Sequence, residues 1–126
     1  MNENEISKII IECALKVHTK LGPGLLESVY RDVLAYEINK AGLSVDVEKD
    51  IPVVYENLQF DKGFRADIIV GNEVLLELKS VKKLEDIHFK QTLTYLKLSG
   101  LKLGLVINFN EVLLKNGLKR IINGKL

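Results

Sequence analysis

Three charged residues interrupt the most apolar part of the chain, and their side chains suit metal-dependent chemistry. Asp67, Glu77 and Lys79 lie in the segment FRADIIVGNEVLLELK, whose aliphatic runs on either side of Gly71-Asn72 predict two strands joined by a turn. Charged residues rarely enter buried strands unless they are paired or bind a metal. Carboxylates suit Mg²⁺ or Mn²⁺, and a lysine beside such an ion can orient or deprotonate a water that attacks a phosphate. The alternative is a structural carboxylate–lysine ion pair on a sheet.

The length of the turn decides whether these charges share a face of the sheet. A two-residue loop would send Asp67 and Glu77 to opposite faces. A three-residue loop, residues 71–73, pairs Val70 with Val74 and Asp67 with Glu77, because side chains alternate along a strand. Such loops are common in hairpins, and only this register gives one wholly apolar face. The apolar face comprises Ala66, Ile68, Val70, Val74, Leu76 and Leu78, and the other face carries Arg65, Asp67, Ile69, Leu75, Glu77 and Lys79.

Length and composition limit the architecture and the partners. The 126 residues are enough for one domain, residues 1–126, with one hydrophobic core. The formal net charge is +1, so the chain lacks the strongly basic composition of proteins that bind nucleic acid tightly and without sequence preference. A local basic patch remains compatible with this balance, because five lysines cluster in sequence around the hairpin and the segment after it. These are Lys79, Lys82, Lys83, Lys90 and Lys97.

The single cysteine and the N-terminal residues point to an intracellular protein. Cys13 lies in an apolar helical pattern and is expected to be a small core residue, since no partner for a disulfide or a zinc site exists. His18 is expected to be a structural or surface histidine. The N-terminus lacks the pattern of a signal peptide, and no apolar run approaches the length of a membrane span. We therefore expect a cytoplasmic protein without a membrane partner.

Apolar periodicity and turn residues predict the order of the elements. The helix predicted at 86–99 lies between the strand that ends at Lys79 and the near-continuous apolar run LGLVINF. This order predicts a parallel, right-handed βαβ unit. Pro52 limits its strand to a sheet edge or a strand start, and either one bent strand or two short ones fit the pattern. Residues 57–63 carry turn residues. Helices are predicted at 6–21, with a cap at Asn4 or Ser7, at 25–41 and at 86–99, and strands within 43–55, 64–70, 74–79, 103–109 and 118–122.

Three polar residues on the predicted helices have two interpretations each. Glu27 lies in the first turn of the second helix, on the same side as Tyr30, and is either an acid that the helix dipole favours there or a residue that reaches the metal of the hairpin. The spacing of Gln91 and Tyr95 places them on one side of the third helix. They are either a surface pair or part of a polar site.

The ordered set of these residues resembles the core of the PD-(D/E)xK nucleases. The match at the strands is Asp67 followed by Glu77-Leu78-Lys79, although Ala66 stands where a proline is usual. Gln91 and Tyr95 look like the QxxxY motif of RecB-type nucleases. Gly24, Glu27 and Tyr30 match the signature of the GxxExxY protein family, a branch of the same superfamily. The resemblance covers nearly the whole chain.

The resemblance implies an α/β fold with a restriction-endonuclease-like core: a central mixed β-sheet flanked by helices in the order α-α-β-β-β-α-β. Asp67, Glu77 and the backbone carbonyl of Leu78 would bind the metal, and Lys79 would position or activate the water. Glu27 would complete or support the metal site. Gln91 and Tyr95 would orient the site or the DNA backbone.

The function that this resemblance implies is a Mg²⁺-dependent nuclease, which hydrolyses phosphodiester bonds of DNA with a metal-activated water. The sequence does not distinguish DNA from RNA. The alternative is a non-catalytic module with a nuclease fold that binds nucleic acid or a protein. A third hypothesis is a structural or dimeric protein whose charges form ion pairs. A homodimer, formed through the apolar edge around Val53 and Val54, is compatible with all three.

Overall fold

The structure, a computed structural model covering residues 1–126, contains one five-stranded mixed sheet with helices packed against it. The strands lie in the order β1-β2-β3-β4-β5; β3 and β4 are parallel and the other neighbours are antiparallel. The mixed α/β fold and the βαβ unit are thus confirmed. The elements are α1 (Glu3–Leu21), α2 (Glu27–Lys40), β1 (Val45–Tyr55), β2 (Leu58–Val70), β3 (Val74–Lys79), α3 (Asp86–Ser99), β4 (Leu103–Asn108), a 3₁₀ turn (Leu114–Gly117) and β5 (Leu118–Ile122).

The helices form where the periodicity predicts them, but α1 and α2 begin at other residues. The predicted cap of α1 at Asn4 or Ser7 is wrong, because Asn2 accepts a hydrogen bond of 2.9 Å from the backbone of Glu5 and the Glu5 side chain returns one. This reciprocal capping box satisfies two free N–H groups and moves the start to Glu3. Helix α3 has the predicted bounds and ends at Gly100, which adopts a left-handed conformation.

The first two strands form a longer hairpin than the turn residues predict. β1 is one continuous edge strand, and its register shifts between Ile51 and Val53, at Pro52. The prediction of a turn over residues 57–63 is wrong, because β2 begins at Leu58. Gly63 serves a close approach of the strands, since a Cβ there would overlap a methyl group of Val53.

The turn between β2 and β3 has the predicted length of three residues. The register pairs Val70 with Val74 and Ile68 with Leu76. Gly71 and Asn72 adopt positive φ angles of 59° and 57°, which glycine and asparagine tolerate better than other residues. This turn therefore fixes the register on which the arrangement of the charged residues depends.

Two hydrophobic clusters cover opposite faces of the sheet. Ile68 and Leu76 pack with α1 and α2, whereas Ile69 and Leu75 pack in the cluster that includes Leu96 of α3. Ala66 belongs to this second cluster, so its predicted place beside Ile68 is wrong. The alternation of side chains along β2 is interrupted next to Ala66. The β1–β2 register pairs Val47 with Ile68 and Lys49 with Ala66, but Glu48 and Asp67, which lie between these pairs, are not paired.

Cys13 and His18 are structural residues, as expected. Cys13 is buried in the cluster under α1 and α2. His18 is buried too, and its Nε2 lies 2.7 Å from the carbonyl oxygen of Glu111, to which the ring N–H donates. None of the helices combines the length and the apolar character that crossing a membrane requires.

Candidate active site

Asp67 and Glu77 meet where the backbone pairing of β2 and β3 ends. That pairing stops at Ile68 and Leu76, one residue before the two acids. The backbone N–H of Asp67 donates to Oε2 of Glu77 at 3.2 Å, and the backbone N–H of Leu78 donates to Oδ2 of Asp67 at 2.8 Å. Each carboxylate therefore binds the opposite strand and replaces a hydrogen bond of the ladder. This exchange holds the two acids side by side and leaves one oxygen of each carboxylate for a ligand.

The site holds two acidic side chains close together in a partly desolvated place. Glu77 is only 7% exposed. Burial, with a further contribution from the charge of Asp67, raises the pKa of Glu77 to about 8, while Lys79 lowers it slightly. Burial also raises the pKa of Tyr95, and the charges of Glu77 and Asp67 add to that rise. Both shifts arise mainly from burial, with the neighbouring acids adding to them, and a bound cation would favour the ionised form of Glu77.

Lys79 is the last residue of β3 and lies beside this pair without neutralising it. Side-chain alternation places Lys79 on the same face as Glu77, and the Lys79 side chain is half-buried. None of the ion pairs within 4.0 Å includes Asp67, Glu77 or Lys79. The hypothesis that these charges form structural ion pairs is therefore wrong for this structure.

The donor atoms of the pair fit a hard divalent cation. Two adjacent carboxylates offer oxygen ligands, and Mg²⁺ typically takes one or two carboxylates and completes its shell with water and substrate phosphate. No group of three or more histidine, cysteine, aspartate or glutamate side chains is arranged to hold a metal. The structure thus brings Asp67 and Glu77 together and does not add Glu27 to them. The role of Glu27 and the carbonyl ligand at Leu78 stay predictions.

Tyr30 shapes the loop that precedes Glu27. The Tyr30 hydroxyl donates to the carbonyl of Gly22 at 2.6 Å and accepts from the backbone N–H of Leu25 at 3.1 Å. Its ring is fully buried and stacks on Phe109, with centroids 4.6 Å apart. Glu27 itself is exposed, at the first position of α2. The tyrosine of the GxxExxY pattern therefore has a structural task, which is to fix the loop before the helix.

We expect Tyr30→Phe to lower the free energy of unfolding by about 1–3 kcal/mol, because two backbone groups lose their partner in a part-buried place. Tyr36→Phe is the matched control, since Tyr36 is on the same helix and 63% exposed. Urea unfolding of both variants measures the difference. A loss for Tyr30→Phe no greater than that for Tyr36→Phe would contradict the structural role.

The QxxxY residues of α3 take different positions relative to the carboxylates. Tyr95 is half-buried and stacks on Phe64 of β2, with ring centroids 3.9 Å apart and planes 5° from parallel. Tyr95 also packs against the hydrophobic cluster that contains Ala66, the residue before Asp67, and the charges of Glu77 and Asp67 add to the rise of its pKa. Gln91, one turn earlier, is exposed. The structure therefore brings Tyr95 to the site, and the role of Gln91 stays a prediction.

Sequence reasoning missed two charged residues beside the site. Arg31 of α2 pairs with Asp32 at 3.1 Å and with Glu48 of β1. The hydrogen bond that Arg31 donates to Asp32 raises the pKa of Arg31, and the charges of Glu48 and Asp67 add smaller increases. Glu48 has a φ of 53° and lies in the gap of the register opposite Asp67. Arg31 could have been found by its position four residues after Glu27, whereas no local pattern reveals the gap at Glu48.

The arrangement defines the class of protein. A mixed five-stranded sheet with a parallel β3-α3-β4 unit, and with an aspartate and a Glu-Leu-Lys sequence on neighbouring strands, is a restriction-endonuclease-like α/β fold. The model of the PD-(D/E)XK nuclease superfamily matches residues 4–121. The chain belongs to the PD-(D/E)XK nuclease superfamily, whose nucleases generally use divalent metals and whose activity indicates nucleic-acid binding. Neither a curated protein nor a solved structure matches the chain significantly.

Proposed function

We propose that this protein is a Mg²⁺- or Mn²⁺-dependent nuclease of the GxxExxY branch that hydrolyses phosphodiester bonds of DNA. The observation that carries the proposal is the Asp67–Glu77 pair. Two carboxylates are held together at the end of a strand pair, with no neutralising partner, in a chain of a nuclease superfamily. A buried acid whose pKa is raised beside a second acid does not stabilise the fold when it ionises, so such a pair is more readily explained by ligand binding than by stability.

Each residue of the site has a proposed task. Asp67, Glu77 and the carbonyl of Leu78 would hold the ion. When bound, the ion supplies charge stabilisation at the phosphate and lowers the pKa of a water. Lys79 donates a hydrogen bond from its ammonium group to the attacking water and so orients it, or takes the proton of that water after the ammonium group has itself lost one. Its freedom from ion pairs leaves the side chain available to the water.

The helical residues have supporting tasks in the proposal. Tyr95 is proposed to orient the site or the DNA backbone from its stacked position on Phe64. Gln91 is proposed to contact the same DNA strand from its exposed position one helical turn before Tyr95. Glu27 is proposed to support the metal site through a water or through a movement of the loop that Tyr30 holds.

A cleavage assay tests this function. The purified protein is expected to cut a labelled DNA in Mg²⁺ or Mn²⁺ and to stop when a chelator is added. Asp67→Asn is expected to lower the rate by about 10²–10³-fold, as for the loss of other strong electrostatic stabilisers of a transition state. Asp46→Asn, an exposed acid of β1, is the matched control. RNA of the same length shows which nucleic acid is preferred.

Two results would contradict the proposal. Cleavage that survives in Asp67→Asn would come from another protein in the preparation. Binding of nucleic acid without turnover, in any divalent metal, would support the non-catalytic module instead.

We also propose that the protein forms a homodimer through the edge strand β1 and the outer part of its hairpin. Val54 and Phe60 are 61% and 53% exposed there, a large apolar area for a free edge. A two-fold dimer would place two sites on one duplex. Light scattering tests this proposal: a mass of two chains supports it and a mass of one chain contradicts it.

A further inference from the structure

The segment that follows Lys79 is held in place from two sides. The hydroxyl of Ser80 donates to the carbonyl of Leu25, before α2, at 2.7 Å. The backbone N–H of Val81 donates to Oδ1 of Asn108 at 3.1 Å, and Nδ2 of Asn108 donates to the carbonyl of Val81 at 2.9 Å. Two consecutive residues of a connection without helix or strand structure are thus fixed to separate elements of the fold.

Asn108 is a fully buried amide that the proposed reaction does not use. It lies opposite Lys79 in the parallel register of β3 and β4, and the next residue, Phe109, donates its backbone N–H to the carbonyl of Lys79 at 2.9 Å. The side-chain oxygen of Asn108 also accepts a hydrogen bond from the backbone N–H of Asn110 at 3.2 Å. Since burying an amide is unfavourable unless its hydrogen bonds are made, the side chain is best explained by what it holds, which is the backbone of Val81.

The fixed segment leads directly to two free positive charges. Lys82 and Lys83 are exposed, and neither takes part in an ion pair. Three residues of chain span at most about 11 Å, so the Cα of Lys82 lies within that distance of the Cα of Lys79. The first acids after them are Glu85, which caps α3, and Asp86, which lies in the first turn of that helix. A nucleic-acid strand bound at Lys79 would therefore have its neighbouring phosphates close to Lys82 and Lys83.

We propose that residues 80–83 form a phosphate-binding segment, in which Lys82 and Lys83 contact backbone phosphates beside the scissile bond. Asn108 is the positioning residue that holds this segment relative to Lys79. The inference rests on the proposed function and adds to it the contact that grips the strand. It also explains how a chain with a net charge of only +1 binds a polyanion, because the positive charge is concentrated where the strand passes.

Fluorescence anisotropy of a labelled single-stranded DNA, with a chelator present so that no cleavage occurs, tests the segment. The Lys82→Gln/Lys83→Gln variant is expected to bind about tenfold more weakly than the parent at moderate salt. The slope of log affinity against log salt is expected to fall by about 1.4, which corresponds to two lost phosphate contacts. Lys8→Gln/Lys20→Gln, which removes two exposed lysines of α1, is the matched control and is expected to change neither quantity.

Kinetics and competition complete the experiment. In the cleavage assay the lysine variant is expected to raise KM and to leave kcat within about twofold, because these contacts are equal in the ground state and the transition state. An equally charged polyglutamate peptide is expected to compete less well than the oligonucleotide. Polyglutamate that competes equally would overturn the assignment to nucleic acid.

Each outcome separates the inference from the function on which it rests. If the parent cleaves DNA but the lysine variant binds like the control, the phosphate-binding segment is wrong and the nuclease proposal stands. If binding depends on the lysines but nothing is cleaved, the segment stands and the nuclease proposal fails. If the parent binds no nucleic acid, both fail.

Asn108→Ser tests the positioning role. The variant keeps both lysines but loses the paired hydrogen bonds to Val81, so faster amide hydrogen exchange over residues 80–83 and a weaker affinity are expected together. Faster exchange with unchanged affinity would overturn the positioning role. Should this variant not fold, Asn110→Ala provides the second measurement, since it removes a single bond of 3.3 Å to the same carbonyl and is expected to act in the same direction with a smaller effect.

Discussion

Lys79→Met is expected to lower kcat for phosphodiester cleavage by about 10²–10⁴-fold, the range typical of a lost general acid–base group. The methionine keeps a similar apolar stem but cannot orient a water or move its proton. The free energy of unfolding is expected to change by less than about 0.5 kcal/mol, because the ammonium group forms no ion pair that the fold would lose. Single-turnover cleavage and urea unfolding measure the two effects.

The matched control for this prediction is Lys97→Met, which changes an exposed lysine in the last turn of α3. It is expected to cleave like the parent. A Lys79→Met protein that is folded and cleaves as fast as Lys97→Met would remove Lys79 from the reaction.

Glu77→Gln is expected to stabilise the metal-free protein at pH 8, although it should abolish metal binding. The pKa of Glu77 is raised from 4.5 to about 8, mainly by burial, so the folded state holds the proton more tightly than the unfolded state does. The stabilisation of the folded state by this tighter proton binding is complete below pH 4.5 and is lost as the pH rises towards 8. The neutral amide of the Glu77→Gln side chain avoids this loss of stability and still accepts the hydrogen bond from the backbone N–H of Asp67. The difference at pH 8 is expected to be on the order of 4 kcal/mol.

Urea unfolding of both proteins in a chelator, from pH 5 to pH 8, measures this effect. The parent is expected to lose stability over that range, whereas the variant is expected to vary much less. Parallel profiles would show that Glu77 is not the residue that carries the buried charge. Glu73→Gln, an exposed glutamate in the β2–β3 turn, is the control and should follow the parent.

The parts of the fold that local patterns determine were predictable from the sequence. The register of β2 and β3 follows from alternation, because a slip by one residue would expose the apolar face. The bounds of α3 follow from its periodicity and Gly100. The outer part of β2 was missed because Asp61 and Gly63 are residues of turns, and Gly63 is needed instead where Val53 approaches. That approach depends on a partner strand, which a local pattern does not contain.

The site was predictable in its residue types and less so in its geometry. The pattern predicts that Asp67 and Glu77 lie together, and the structure brings them together. It does not predict that each acid would bind the backbone of the other strand. Arg31 and Glu48 were missed, because their contact joins a helix to a strand and depends on a left-handed residue within β1. The structural role of Tyr30 likewise depends on Gly22 and Phe109, which are distant from the motif or outside it.

The most direct test of the metal site is a calorimetric titration of Mn²⁺ at pH 8, where Glu77 is about half deprotonated in the metal-free protein. The parent and Asp67→Asn are titrated first alone and then with a non-cleavable oligonucleotide, which supplies phosphate ligands. Saturable binding to the parent is expected, tighter with the oligonucleotide, and Asp67→Asn is expected to lose this binding in both conditions. No saturable binding to the parent in either condition, or equal binding to Asp67→Asn, would contradict a metal site at Asp67 and Glu77.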